Sequence, residues 1–204
     1  MTHLRTKEMT VIAMLLAIII VMAAVPYLGF IGFGAVSITL LHLPVLIGGV
    51  YGGRRVGIAV ALAFGLSSLA IAWMRPQTPL DFLFQNPLIS VLPRFLFGLA
   101  LWLLYEAAKA LFNRPLFRYV FTFALATLAH TLLTLGCVFI FGRNNVNFID
   151  VFGDTGFLDY AWIVLSVILP VNGVLEIVVA LLVGIPVIMR LTAYDQVAES
   201  WRPS

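Results

Sequence analysis

Charge is scarce in this chain. Of 204 residues, 12 are Lys or Arg and 9 are Asp or Glu, 10% in all. A soluble domain carries about 25% charged and about 45–50% apolar residues. Here 62% are hydrophobic and the mean hydropathy is +1.09. That composition excludes a water-soluble globular protein and predicts an integral membrane protein. Apolar stretches recur from end to end, so one membrane domain over 1–204 is expected, with no separate soluble part.

Cysteine is nearly missing as well. Cys137 permits neither an intramolecular disulfide nor a cysteine-based zinc cluster. The common catalytic motifs are also wanting. In GGRRVG, Gly52 and Gly57 have P-loop spacing, but Ile58-Ala59 stand where Lys-Ser/Thr is required. The chain is therefore expected not to hydrolyse ATP itself. It has no G-x-S-x-G elbow, no H-E-x-x-H or His/Cys cluster, and no EF-hand spacing in its acidic loop. An intramembrane enzyme needs a base beside a nucleophile, and His130 with Thr131 or Thr134 is a poor substitute. The reading is of no enzyme, no metal and no cofactor. The net charge of +3 matters less than where the charges lie.

Apolar length is what the chain has in excess. A span needs about 20 mostly apolar residues. The expected helices run at about 9–26, 41–51, 56–74, 88–112, 116–141 and 161–191, giving an all-α bundle with six crossings. The N-terminal run resembles a signal peptide, but it is long and other spans follow, so it reads as a retained first helix. Tyr27–Thr39, rich in glycine and aromatics, reads as a loop folding back on the protein. Gly52–Arg55 divides the second helix from the third, because paired arginines are costly within lipid. Pro170 and Pro186 predict bends in the last helix.

Six crossings place both termini on one side. Arg5, Lys7, Arg54, Arg55, Lys109, Arg114, Arg118, Arg190 and Arg202 then share that side, and Arg75 and Arg143 take the other. Basic residues favour the cytoplasm, so both termini are expected there, in a multi-pass protein of the cell membrane.

Arg94 falls on neither side; it lies inside an apolar run. A charge there costs roughly 2.5–3.5 kcal/mol even on lenient insertion scales. His130 and Thr134 share one helix face, as do Asn172 and Glu176. Together they predict an outward-opening pocket for a small polar molecule, with Arg94 offering a fork to a carboxylate or phosphate. Plainer readings compete. Arg94 pairs with Glu176, although depths at ~1.5 Å per residue place them ~13 Å apart. His130 is a satisfied core residue; Thr127 and Thr134 bond back to their own helix. Asn172 repairs backbone freed by Pro170. Convergence on one region is what favours a site. In the first helix, Ala13 and Ala17 have the small-x-x-x-small spacing that admits a second helix closely.

Four blocks in order carry a resemblance. They are the Ala13/Ala17 pair, HLPVLIGGVYGGRRVGIAVALAFGLSSL (42–69), NPLISVLPRFLFGL (86–99) and LPVNGVLEIVVALLVGIP (169–186). The chain resembles the substrate-binding S component of energy-coupling factor (ECF) vitamin transporters, over nearly its whole length. The resemblance implies a six-helix bundle with an externally open vitamin pocket, capped by the loop after helix one. It also implies a scaffold membrane subunit meeting Ala13 and Ala17, and two ATPase subunits. The cap implied is at 32–36, with Phe33 and Gly34 against the cargo. The blocks at 42 and 86 are most similar to pantothenate-type members. Arg94 suits a carboxylate, and His130, Thr134 and Asn172 suit hydroxyl and amide groups. Glu176 would instead serve a hydroxymethylpyrimidine or pyridoxine; folate and cobalamin stay open. A stand-alone secondary carrier and an intramembrane enzyme using His130 and Glu176 are the rival readings.

Overall fold

The computed structural model describes residues 2–33 and 36–200. Helix dominates it, and five helical stretches are long and apolar enough to cross a membrane. Among its described side chains, helix α1 (Thr2–Ala24) fully buries the stripe Leu15, Ile19 and Ala23, residues four apart on one face. Val11, Ile12, Leu16 and Met22 pack half-buried against the same core, and Met14, Ile18, Ile20 and Val21 are exposed. Ala13 and Ala17 lie on this exposed side and so do not pack in the core of the chain.

After α1 the backbone reverses at Tyr27, whose φ is +62°. An antiparallel hairpin follows, β1 (Phe30–Phe33) with β2 (Val36–Thr39), in a register that sets Phe30 opposite Thr39. The segment expected to be a loop folding back on the protein is thus a short hairpin, in a chain that is otherwise helical. Val36, Ile38 and Thr39 are β-branched and Phe30 and Phe33 aromatic, types that favour extended backbone. Glycine content obscured that pattern. Gly34 lies outside the described residues.

Helix α2 (His42–Met74) is one helical run with a single non-helical residue, Gly53 (φ 78°, ψ −169°). A Cβ added at Gly57 would lie 2.8 Å from the Cα of Gly49. Eight residues of straight helix span about 12 Å. The run therefore folds back on itself at Gly53, a positive φ that glycine adopts freely. The two arms touch backbone to backbone because both contact residues lack side chains.

A 3₁₀ turn (Pro79–Gln85) and short α3 (Pro87–Ser90) lead into α4 (Leu92–Leu111). Asn86 caps α3, its Oδ1 accepting from Leu88 N at 3.0 Å. Helix α5 (Pro115–Gly142) starts at a proline, where a missing N–H is harmless. Between the helices expected at 116–141 and 161–191 lies α6 (Val146–Phe152), capped by Asn145.

The last stretch is continuous but changes pitch. Helices α7 (Phe157–Ile163), α8 (Val174–Val179) and α9 (Ile185–Ser200) alternate with wide π turns at Val164–Gly173 and Ala180–Gly184. Pro170 lies within the first of these. Proline cannot donate to the preceding turn, and an i→i+5 pattern re-routes the bonds it interrupts.

Two apolar cores result. One joins α1, α2, α4 and α5 around Phe64, Phe97, Leu101 and Phe123. The other gathers Leu83, Ile89, Val138, Phe148 and Tyr160, with Tyr160 Oη donating to Leu135 O at 2.9 Å. Lys7 and Asp195 form an ion pair at 2.7 Å, so the start of α1 and the end of α9 meet at one end of the bundle.

Candidate functional site

The site begins with a proline. In LPR, Pro93 has no N–H, so the carbonyl of Ile89 loses its usual i→i+4 donor. Arg94 takes that place: its Nη1 donates to Ile89 O at 2.9 Å. The guanidinium lies over the rings of Phe64 and Phe84, 5.1 and 4.9 Å from their centroids. Aromatic faces attract a cation, so the two rings help hold the group in place. Arg94 is 3% exposed and its Nε has no partner. Among the described residues, no ion pair joins it to Glu176.

His130 is wedged between Phe64 and Phe97, ring centroids 5.4 and 5.0 Å away. Its Nδ1 is buried and unpartnered, as are Thr134 Oγ1 and Asn172 Oδ1. Leaving such groups unpaired costs about 1–3 kcal/mol each. All three residues, with Arg94, line one cavity whose other walls include Phe30, Ser68, Arg75, Phe84, Thr131 and Ile168. A cation and unpaired polar atoms face a common space framed by apolar walls. That is what a small anion bearing hydroxyl or amide groups requires.

Glu176 also lines the cavity, but both its oxygens are used. Oε1 accepts from the Thr39 backbone N–H at 3.0 Å, and Oε2 from Thr131 Oγ1 at 3.2 Å. The depth difference expected between Arg94 and Glu176 assumed a uniform rise per residue. The π turns before Glu176 put more residues into each turn, so the assumption fails there.

Phe33 is described through its backbone, in β1. Sequence reasoning missed Arg75, His42 and Phe84 and gave Thr131 no binding part. Arg75 Nη2 donates to Ala23 O at 2.7 Å, and its Nε is buried without a partner. His42 Nδ1 meets Thr39 O at 2.9 Å. The available signal for His42 was a polar residue opening an apolar helix directly after the hairpin.

A mostly helical bundle with several apolar spans, and a cavity lined by unpaired polar atoms, defines a membrane-embedded binding protein for a small molecule. The model of the family "ECF transporter, substrate-specific component" matches residues 7–188, and the chain belongs to that family. It is accordingly a multi-pass protein of the cell membrane, in a family of substrate-binding transporter subunits. It is 31% identical to the "Pantothenate transporter PanT" of Leuconostoc mesenteroides subsp. mesenteroides over 145 residues, 69% of this chain and 70% of the relative. It is 30% identical to the "Pantothenic acid transporter PanT" of Lactococcus lactis subsp. cremoris over 168 residues, 76% of this chain and 77% of the relative.

Proposed function

We propose that this chain binds pantothenate in the cavity beside Arg94 and is the cargo-binding subunit of an ECF importer. The observation that carries this reading is Arg94: a buried guanidinium with an unpartnered Nε, facing a cavity, with no carboxylate ion-paired to it among the described residues. A cargo carboxylate would complete it as a charge-assisted pair. His130, Thr134 and Asn172 would take the hydroxyl and amide groups of the cargo. The two relatives named for pantothenate support the same choice.

The topology belongs to this reading. The arms of α2 on either side of Gly53 are separate crossings, which makes six. Both termini are cytoplasmic, by the excess of Lys and Arg at the end where Lys7 meets Asp195. The cap that the family resemblance implies at 32–36, with Phe33 and Gly34 against the cargo, belongs to this reading as well. The exposed Ala13 and Ala17 face meets a scaffold membrane subunit, and two ATPase subunits supply the energy that this chain has no motif to provide.

Titration of the purified protein with pantothenate, read by tryptophan fluorescence, tests the core of the proposal. Saturable binding is expected, with affinity reduced about 30-fold or more in Arg94→Ala. Saturable binding of pyridoxine, a hydroxymethylpyrimidine or folate, with none of pantothenate, would reassign the cargo. Unchanged pantothenate affinity in Arg94→Ala would remove the arginine from the site.

A further inference from the structure

Thr39 is gripped from several directions. It is the last residue of β2, buried, and ties the hairpin to the helices. In the hairpin register Leu40 N donates to Gly29 O at 2.9 Å, so the N–H of Thr39 points away from its partner strand. That outward N–H is the one Glu176 Oε1 accepts. The Thr39 carbonyl accepts from His42 Nδ1, and its hydroxyl donates to Gly29 O at 3.3 Å while accepting from Leu41 N. Backbone N–H and C=O are thus both held by side chains of helices.

We infer that Glu176 is a positioning residue: it pins the C-terminal end of the β1–β2 hairpin beside the cavity and does not contact the cargo. Three observations meet here. Both carboxylate oxygens have a donor within reach inside the chain: the hairpin N–H, and the hydroxyl of Thr131 on α5, which shares its one proton between Glu176 Oε2 and Thr127 O. The residue is 4% exposed, so the bond to Thr39 is shielded from competing water. Phe30, across the register from Thr39, lines the cavity, so a shift at Thr39 moves the cavity wall. A carboxylate facing an acidic cargo would repel it; one engaged by neutral donors instead joins α8, α5 and the hairpin at a single point.

The inference uses the proposed cavity as the binding site, and its test separates the two. In cargo-free protein, amide hydrogen exchange is followed along both strands, including the Leu40 N–H. Glu176→Ala is expected to accelerate exchange throughout the hairpin, with the helices unchanged. Thr39→Pro removes the same donor while keeping the carboxylate, and it also removes the hydroxyl bonds to Gly29 O and Leu41 N; exchange should accelerate at least as much, and adding Glu176→Ala to it should add little. Glu176→Gln still offers an oxygen to Thr39 and should retain protection. With pantothenate, Glu176→Ala should release cargo about tenfold faster at an unchanged association rate, and Glu176→Gln should behave as the parent. Unaltered hairpin exchange in Glu176→Ala would overturn the inference. So would a Gln variant that loses affinity as fully as Ala while its hairpin stays protected, since that places the charge on the cargo. If the parent protein binds no pantothenate, the proposed function fails and the exchange experiment alone decides.

Discussion

His42 and His130 lie face to face, ring centroids 6.0 Å apart and planes 19° from parallel. They come from different helices and look in different directions. Because a carbonyl can only accept, His42 Nδ1 must donate to Thr39 O, and His42 serves the hairpin. His130 keeps its buried Nδ1 without a partner and lines the cavity.

That difference makes His130→Phe an informative variant. A phenyl ring keeps the packing against Phe64 and Phe97 and loses only the nitrogens. Pantothenate affinity is expected to fall about tenfold with little change in the thermal midpoint of the cargo-free protein. Equal affinity would mean that His130 is packing alone.

Arg94→Lys tests whether the fork matters or only the charge. An ammonium is a compact point charge and cannot lie flat against two rings while bridging Ile89 O and a carboxylate. Binding at least about tenfold weaker than the parent is expected, measured by the same titration. A lysine variant of parental affinity would show that a point charge suffices.

Gly65 sets how closely α2 approaches α4 beside the site. A Cβ there would meet Val91 Cα at 3.0 Å and Arg94 Cβ at 3.3 Å. Gly65→Ala must push the helices apart, at a cost of about 1–3 kcal/mol, and displace Arg94 as well. Both thermal stability and affinity should drop. Gly136→Ala has nothing within 4 Å and is the matched control, expected to change neither.

Ala17→Leu addresses the outer face of α1. Ala17 is exposed, so a larger side chain fits without disturbing the bundle. Cargo affinity should stay at the parental value, while co-purification with the scaffold and ATPase subunits should be lost. Retained assembly would move the partner interface elsewhere.

Much of this was legible in the sequence, for identifiable reasons. Arg94, His130, Thr134 and Asn172 stood out because a polar atom in an apolar span is conspicuous, and the structure brings all four to one cavity. The break near Gly53 showed because two arginines follow it. The hairpin did not show, since a two-stranded pair of four-residue strands leaves a short pattern that glycine masks. Nor did the hold of Glu176 on Thr39: a bond between residues 137 positions apart, made to a backbone N–H, carries no side-chain signature at its far end.

The reversal at Gly53 has a consequence for the surrounding lipid. The arm before it, residues 42–52, is only about 16 Å long at ~1.5 Å per residue, whereas the hydrocarbon layer is about 30 Å thick. The polar Gly52–Arg55 turn is drawn toward headgroups that the arm is too short to reach. No residue of 42–52 is exposed, so neighbouring helices rather than acyl chains surround the short arm. Lipid meets a bundle that shields it, and its shortness is taken up inside the protein.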